Sequence, residues 1–558
     1  MKHLSDIEIA QQANMEHINS IAAKLGVDSE DLEHFGKYKA KLPLNLIDEE
    51  KIKKNHLVLV TALTPTPAGE GKTTVSIGLN EGLNRIGKQS TVVLREPSLG
   101  PVFGIKGGAA GGGYSQVVPM EDINLHFTGD FNAIEKANNL LAALIDNNIQ
   151  SKVGNLNIDP RTILWKRVID MNDRALRQIT IGLGGTFNGI PREDGFNITP
   201  ASEVMAILCM AQSFDDLKER LGDILVGFTF DKQAVYARDL KAENAMAILL
   251  KDAIKPNLVQ TLENNPAIIH GGPFANIAQG TNTLIATKMG LSLSDYVVTE
   301  AGFGADLGAE KFLDIKCAHG GLAPEAVVLV ATIRALRHHG GVGKEELNTP
   351  NPEKVSLGLA NLEKHIENIR KFNIEPVVAI NAFISDSAEE IKVVQDRCAQ
   401  HGVKAVVSKG WAEGGKGTEK LAQTVVDVVE SSSKKFKPLY DWDMPIKDKI
   451  ERIAREIYGA DGVDYDNKAM LNLRRVSRLG MDDFAICMAK TQKSFSDDDR
   501  LLGRPEHFRV TVREVEIAAG ARFVIPILGK MMRMPGLPSN PASSQMEIDS
   551  DGKVSGLS

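Results

Sequence analysis

The residues of this chain that are best suited to chemistry form a glycine-containing loop followed by a lysine and a threonine. The apolar run His56–Ala62 predicts a buried strand, Thr64–Gly71 is rich in residues that break regular structure, and a helical pattern begins at Lys72. This order is typical of a phosphate-binding loop, in which backbone N–H groups face an anion. We therefore predict that Lys72 reaches the β- and γ-phosphates of a nucleotide and that the Thr73 hydroxyl binds Mg²⁺.

One position departs from the usual pattern G-x-x-x-x-G-K-[ST], because Thr66 stands where the first glycine is expected. The strand, loop and helix around it support the nucleotide interpretation. The alternative is an ordinary turn between a strand and a helix that happens to contain Gly-Lys. On the nucleotide interpretation, the residues predicted to contact ATP are Thr66, Pro67, Ala68, Gly69, Glu70, Gly71, Lys72 and Thr73.

A second candidate for chemistry is Arg95, which follows the predicted strand Ser90–Leu94. In an open α/β sheet the carboxyl ends of the strands line the ligand crevice. We therefore expect the Arg95 guanidinium to hold a second anion beside the γ-phosphate. The alternative is a surface arginine after a strand.

A third candidate is the segment Gly104–Tyr114, which reads GIKGGAAGGGY. Five of the seven residues from Gly107 to Gly113 are glycine and the other two are alanine, which favours close approach of the backbone to a ligand or to another chain. A dinucleotide fingerprint is rejected, because G-x-G-x-x-G must directly follow a strand and open a helix. The alternative is a flexible hairpin tip.

The elements that must position these residues alternate between short apolar strands and helices. Further strands are predicted at Ala267–His270, Tyr296–Thr299, Val327–Thr332, Val377–Ile380 and Ala405–Val407. The alternation indicates an α/β fold with a doubly wound parallel sheet, like that of phosphate-loop NTPases. We expect a nucleotide-binding domain at 1–150 and 240–360 that begins with a helical lead-in over residues 1–50, an inserted α/β domain at 151–239, and a smaller C-terminal α/β substrate-binding region at 361–558.

Composition and charge exclude several classes of protein. A net charge of −7 over 558 residues argues against a dedicated binder of nucleic acid or of a membrane surface, which is usually basic. The chain shows no run of about 18 apolar residues and no signal-peptide pattern at its start. Its four cysteines lie far apart without C-x-x-C, so we expect neither a disulfide framework nor a cysteine zinc site. These features favour a cytoplasmic location.

Several segments of the chain resemble the formate–tetrahydrofolate ligase family. Its two signatures are similar to Gly104–Tyr114 and to Val330–Gly341 (VATIRALRHHGG), where Arg337 replaces the usual lysine. Gln279 and Lys493 depart from the family, which has histidine and an aromatic residue there. The resemblance runs nearly end to end, through TPAGEGKT at 66–73, HGGPFANIAQG at 270–280, TEAGFGADLGAEKF at 299–312 and MPGLPSNPA at 534–542.

The resemblance implies a reaction in one-carbon metabolism. ATP, formate and tetrahydrofolate would give 10-formyltetrahydrofolate, ADP and phosphate through formyl phosphate. Lys72 would bridge the transferring phosphoryl group, Arg95 would hold formate, and Mg²⁺ would lie on Thr73. The glycine-rich segment, with Gly107, Gly108, Gly111 and Gly112, would close on the folate and formyl phosphate side.

The resemblance also implies that Phe383 and Trp411 sandwich the pterin ring. Both follow predicted strands, and aromatic faces stack well on a flat ring. The alternative for each is core packing. Glu300 and Asp306 follow the strand at 296–299, and either metal or amine binding or an ion pair stays open for them.

The assembly and the cofactors are further expectations from the resemblance. The family resemblance implies a monofunctional enzyme that forms a homotetramer and is activated by K⁺ or NH₄⁺. Its expected partners are its small-molecule substrates. A competing interpretation is a phosphate-loop ATPase switch that regulates a protein partner. Such a switch would not need the Gly104–Tyr114 segment or the aromatic pair Phe383 and Trp411.

Overall fold

The computed structural model describes residues 4–66, 69–106, 110–433 and 435–557. Within these residues the largest element is a twelve-stranded sheet. Its strands are β1 (Glu33–His34), β2 (Ala40–Lys41), β3 (His56–Ala62), β4 (Ser90–Leu94), β5 (Gly111–Gly112), β6 (Ser115–Val118), β7 (Asn257–Thr261), β8 (Pro266–Ile269), β9 (Tyr296–Glu300), β10 (Ala326–Ala331), β11 (Glu375–Asn381) and β12 (Lys404–Ser408).

Most of this sheet is parallel. Strands β8, β4, β9, β3, β10, β11 and β12 lie side by side in that spatial order, and each neighbouring pair is parallel. Strands β1, β2, β5, β6 and β7 add antiparallel pairs beyond β8. The expected α/β fold with a large parallel sheet is therefore confirmed.

The parallel strands are apolar at nearly every position because both faces of the sheet are covered. Along β3, Val58 and Val60 belong to one buried cluster and Leu57 and Leu59 to another, as alternation of side chains requires. The first cluster also holds Val75, Ile77, Leu79 and Leu83 of the helix Lys72–Arg85, and the second holds Leu284, Ala286, Met289 and Leu291 of the helix Leu284–Leu293.

The α-helices of at least four residues are interspersed with the strands along the chain, singly or in succession. They are Asp6–Gln11, Ile18–Lys24, Glu49–Ile52, Lys72–Arg85, Met120–Asn124, Asp130–Gln150, Glu203–Met210, Phe214–Gly222, Glu243–Leu249, Leu284–Leu293, Ile333–His339, Pro352–Lys371, Ala388–Gln400, Gly410–Glu413, Glu419–Ser431, Ile446–Arg452 and Asn467–Arg478.

The remaining strands form small sheets outside the central one. They pair as Arg167–Ile169 with Phe196–Ile198, Ile179–Ile181 with Arg192–Asp194, Leu225–Phe228 with Ala234–Tyr236, Gly462–Tyr465 with Arg509–Val512, Ala485–Ile486 with Phe523–Ile527, which also pairs with Glu514–Ala518, and Glu547–Ile548 with Val554–Ser555. A third buried cluster joins the two regions that hold most of these strands, since it contains both Trp165 and Phe523.

Two segments depart from the expected layout of the chain. Residues 33–41, predicted as part of a helical lead-in, contribute β1 and β2 to the sheet. Strands β11 and β12 follow residue 360, yet β11 pairs with β10 from Glu375 to Ile380, so the predicted boundary at 360 crosses the central sheet. The other domain limits stay a prediction.

Candidate active site

The predicted site residues meet at one edge of the central sheet. Strand β9 lies between β3 and β4, with Glu300 opposite Val60 and Thr299 opposite Val93. Because the three strands are parallel, their carboxyl ends and the loops that follow them share this edge. The phosphate-loop candidate after β3, Glu300 at the end of β9, and Arg95 after β4 are thereby brought together.

The loop after β3 leads into the helix as predicted. Gly71 is the residue before the helix Lys72–Arg85, and its φ of 72° is left-handed, which glycine adopts without steric cost. Lys72 and Thr73 thus occupy the first turn, where helix N–H groups lack partners within the helix. The Thr73 hydroxyl donates a hydrogen bond of 2.9 Å to Oε2 of Glu300, which is only 4% exposed.

The Glu70 carboxylate turns inward and fixes the loop. It accepts hydrogen bonds from the Thr66 backbone N–H at 2.7 Å, from the Thr66 hydroxyl at 2.9 Å and from the Thr332 hydroxyl. The Glu70 carbonyl accepts a further hydrogen bond of 3.1 Å from Nδ2 of Asn381. Nucleotide contact by Glu70 and Thr66 stays a prediction, and Pro67 and Ala68 lie outside the described residues.

Arg95 is half-buried beside the loop that follows β9. Its Nη1 donates to the Pro273 carbonyl at 3.4 Å, and a Cβ built on Gly302 would lie 3.1 Å from the same nitrogen. The Arg95 Nε is buried and has no hydrogen-bond partner among the described residues. A guanidinium with an unused buried donor can bind an anion in the way that the sequence predicts.

The glycine-rich segment approaches Trp411 closely. Gly111–Gly112 forms β5 and pairs with β6, and the Tyr114 N–H donates 2.9 Å to the Trp411 carbonyl. A Cβ on Gly113, whose φ is 57°, would lie 2.1 Å from that carbonyl oxygen, so only glycine fits there. Close backbone approach is thus seen on the Trp411 side, while Gly107 and Gly108 lie outside the described residues.

The two aromatic candidates follow neighbouring strands. Phe383 comes after β11 and Trp411 after β12, and Asn381 of β11 pairs with Ser408 of β12. Each aromatic residue is 39% exposed, which is more than core packing would leave. The Arg334 guanidinium carbon lies 5.0 Å from the centroid of the Phe383 ring.

Glu300 and Asp306, for which two roles were open, differ in the structure. Glu300 contacts the phosphate-loop candidate through Thr73. Asp306 forms an ion pair with Lys490 at 2.9 Å, and both side chains are fully buried. The ion-pair alternative therefore holds for Asp306.

The histidines near this edge have structural partners. His270 contacts the Thr283 hydroxyl and the Ala253 carbonyl at 2.6 Å each, and His339 contacts the Thr64 carbonyl at 2.8 Å. Burial lowers the pKa of His270 and of His339 to about 4, which keeps both rings neutral near pH 7. The described residues contain no cluster of three His, Cys, Asp or Glu side chains suited to a metal ion.

The comparison with protein families decides among the interpretations of this site. A family model described as formate–tetrahydrofolate ligase matches residues 4–558. The chain belongs to the formate–tetrahydrofolate ligase family. It is an ATP-dependent ligase that joins formate to tetrahydrofolate, so the substrates expected from the sequence are confirmed at this level. The match gives no support to an ATPase switch.

A comparison with solved structures adds little to this family assignment. The crystal structure of Helicobacter pylori folylpolyglutamate synthetase is similar over 76% of this chain and 72% of its own chain, with 8% sequence identity and a TM-score of 0.20. A likeness of that size bears on neither fold nor function. Among the described helices of the ligase, none combines the length and the hydrophobicity of a membrane-spanning segment.

A cavity of about 740 Å³ lies elsewhere in the ligase. Its lining includes Trp165, Arg177, Arg475 and Phe523, and none of the described site residues contributes to it. The cavity therefore lies between the inserted segment and the C-terminal region. The edge of the central sheet, where the polar residues converge, remains the candidate active site.

The sequence analysis missed three residues that hydrogen-bond to Gly69 or Glu70 in the phosphate-loop candidate of this ligase. They are Thr332, Arg334 and Asn381. Thr332 follows β10 and Asn381 ends β11, so the rule that strand ends line the crevice applies to them as it does to Arg95. Arg334 lies in the first turn of the next helix, inside the signature-like segment Val330–Gly341, which could have singled it out.

Proposed function

We propose that this chain makes 10-formyltetrahydrofolate in two steps at the carboxyl edge of its central sheet. A formate oxygen first attacks the γ-phosphorus of ATP, and ADP leaves with the electrons of the broken P–O bond. The N10 amine of tetrahydrofolate then attacks the carbonyl carbon of formyl phosphate, phosphate leaves, and the amine gives up a proton. The first step is needed because formate alone would have to expel an oxide, whereas the mixed anhydride expels phosphate.

The observation that carries this proposal is the hydrogen bond between Thr73 and Glu300. It joins a hydroxyl in the first turn after the glycine loop to a buried carboxylate on the neighbouring strand. Hydroxyl and carboxylate oxygens are ligands that suit Mg²⁺, so this pair fits a magnesium site with Thr73 as ligand. When bound, Mg²⁺ offsets charge on the ATP phosphates. The arrangement supports a doubly wound nucleotide domain of the phosphate-loop type.

Lys72 and Arg95 meet the electrostatic requirement of the first step. Formate and the γ-phosphate are both anions, and two unit charges 4 Å apart repel by about 4 kcal/mol at an effective dielectric constant of 20. Lys72 at the helix start bridges the transferring phosphoryl group, and Arg95 holds formate with its unused Nε donor. Positioning and positive charge are the main contributions that a protein makes to phosphoryl transfer.

Phe383 and Trp411 form the folate side of the proposed site. Their partial exposure at the ends of adjacent strands supports stacking on the pterin ring. Gly111 and Gly112, together with Gly107 and Gly108, complete the wall on this side, and contact of the hairpin with Trp411 supports that placement.

The assembly and the conditions of the reaction complete the proposal. The ligase works as a homotetramer activated by K⁺ or NH₄⁺, so light scattering should give four times the chain mass of 60.5 kDa. A monomer mass at working concentrations would contradict this assembly. Its cysteines Cys209, Cys317, Cys398 and Cys487 are buried and unpaired, which supports a reducing, cytoplasmic location.

Oxygen labelling tests the formyl phosphate intermediate. Formate carrying ¹⁸O should transfer one labelled oxygen to inorganic phosphate during turnover, because the attacking formate oxygen becomes the bridging oxygen of formyl phosphate and leaves with phosphorus. Mass spectrometry of the phosphate measures this transfer. Unlabelled phosphate, formed in equal amount with 10-formyltetrahydrofolate, would exclude the two-step route.

A further inference from the structure

Arg334 lies between the phosphate-loop candidate and the Phe383 ring. It occupies the first turn of the helix Ile333–His339. Its Nη2 donates to the Gly69 carbonyl at 3.4 Å, and its guanidinium carbon lies 5.0 Å from the centre of the Phe383 ring. The Arg334 Nε is buried and has no hydrogen-bond partner within the described chain. A single planar side chain thus contacts both halves of the proposed site.

A second set of contacts joins the same two features. Asn381 donates through Nδ2 to the Glu70 carbonyl at 3.1 Å, and a Cβ on Gly71 would lie 2.5 Å from that nitrogen. Asn381 ends β11, two residues before Phe383. The loop therefore reaches the aromatic ring through Arg334 and also through the chain that carries the ring.

The start of the Arg334 helix is itself fixed to the loop. Thr332 is the residue before this helix; its hydroxyl accepts the Ala335 N–H at 3.1 Å and donates to the Glu70 carboxylate. Loop, helix start and strand end form a closed ring of contacts. Thr332 thus ties the loop to the same helix turn that carries Arg334.

We propose that Arg334 is a positioning residue that couples folate binding to nucleotide binding. The inference rests on the proposed function, which places ATP on the loop and a folate ring on Phe383. A planar cation over one face of an aromatic ring holds that ring in place and leaves its opposite face for a ligand. Nucleotide that holds Gly69 in place therefore also holds Arg334 and the Phe383 ring, and a preorganised ring binds folate more tightly.

The structure separates this role from that of a group acting on the reacting atoms. Arg334 contacts the Gly69 carbonyl and the Phe383 ring, and its positive charge also acts on the Asp386 carboxylate. Its guanidinium matches both at once because it is flat and carries donors in its plane. A lysine has a compact ammonium instead, so Arg334→Lys should keep the charge and lose the coupling.

The test compares tetrahydrofolate binding in the presence and absence of a nonhydrolysable ATP analogue with Mg²⁺. In the full-length enzyme the analogue should tighten folate binding by at least about fivefold, the low end of usual coupling between sites. In Arg334→Met and Arg334→Lys the ratio of the two dissociation constants should fall close to one. By reciprocity, folate should no longer tighten binding of the analogue.

The chain offers a matched control in Arg475. Its guanidinium carbon lies 5.2 Å from the centre of the Phe228 ring, so it makes the same kind of contact beside the remote 740 Å³ cavity. Arg475→Met should keep the wild-type ratio. Circular dichroism and the thermal midpoint identify any variant that fails to fold. If Arg334→Met fails to fold, Arg334→Lys alone carries the test.

Phe383→Ala separates failure of this inference from failure of the proposed folate site. If Phe383→Ala binds tetrahydrofolate as tightly as the wild type, the folate site is wrong and the inference fails with it. If Phe383→Ala weakens binding but Arg334→Met and Arg334→Lys keep the wild-type ratio, the folate site stands and the inference alone is overturned. The inference is also overturned if the wild-type enzyme binds tetrahydrofolate equally tightly with and without the ATP analogue.

Discussion

At the scale of single residues, the candidate site combines Lys72 and Arg95 with carboxylates that accept hydrogen bonds from neighbouring groups. Lys72 and Thr73 lie in the first turn of a helix, and Glu300 accepts a hydrogen bond of 2.9 Å from the Thr73 hydroxyl. The Glu70 carboxylate is held by Thr66 instead. Residue type alone therefore does not distinguish Glu300, which contacts the proposed Mg²⁺ ligand Thr73, from Glu70, which fixes the loop.

The first prediction concerns Lys72. Lys72→Ala should lower kcat by about 10²–10³-fold, the usual effect of removing one preorganised group that stabilises a transition state. Its circular dichroism spectrum should match that of the wild type, because the side chain lies at a helix start outside the apolar core. Lys88→Ala, which removes a surface lysine paired with Glu430 just beyond the same helix, should keep full turnover. Wild-type turnover in a folded Lys72→Ala enzyme would refute the assigned role.

The second prediction is a pH dependence that arises at Glu390. Burial alone would raise the pKa of Glu390, but hydrogen bonds from Arg337 and from the backbone N–H groups of Asn351 and Ser387 outweigh burial and lower the pKa to about 2. The ordinary value is 4.5, so the pair contributes its full stability above about pH 4.5 and loses it as the pH falls toward 2.

Glu390→Gln tests this dependence. It should destabilise the folded protein by about 3 kcal/mol at pH 7, because it breaks a buried ion pair that makes two hydrogen bonds of 2.7 and 2.8 Å. It should also flatten the loss of stability between pH 4.5 and 2. Urea midpoints across this range measure both effects. The exposed neighbour Glu389 supplies the control, and equal effects of Glu389→Gln and Glu390→Gln would contradict the account.

At the scale of elements, the sequence patterns predicted where strands lie along the chain but not which strands pair with each other in the sheet. The predicted runs 90–94 and 296–299 correspond to β4 (Ser90–Leu94) and β9 (Tyr296–Glu300), because continuous apolar runs with breakers at each end mark buried strands. The patterns did not show that β9 lies between β3 and β4, since strand pairing is a long-range contact. The contacts of Thr332, Arg334 and Asn381 with the loop stayed hidden for the same reason, because they depend on β10 lying beside β3 and on β11 lying beside β10.

The third prediction uses two glycines of the loop that have nearly the same φ angle. Gly69 and Gly71 have φ angles of 75° and 72°, so alanine at either should cost about 1–2 kcal/mol in stability. A Cβ at Gly69 meets nothing within 4 Å, whereas one at Gly71 would lie 2.5 Å from Asn381. Gly71→Ala should therefore displace the helix start and raise the KM for ATP about tenfold or more, whereas Gly69→Ala, which adds backbone strain without this clash, should raise it several-fold less. Steady-state kinetics decide, and equal KM values would show that the clash does not matter.

At the scale of the whole molecule, one parallel sheet brings together segments that lie hundreds of residues apart. The loop after β3, Arg95 after β4, Glu300 on β9, Phe383 after β11 and Trp411 after β12 reach one edge because their strands run in the same direction. The α/β class, the candidate loop and the family were predictable from sequence. The path of the sheet across residue 360 was not, because the sequence pattern carries no information on which strands pair.

The most direct test of the central claim is ADP release by the full chain with ATP and Mg²⁺, measured with formate and tetrahydrofolate added separately and together. We expect sustained ADP release to require both substrates, with one 10-formyltetrahydrofolate formed for each ADP. ADP release that is the same with and without them, in the absence of formylated product, would contradict the proposed function.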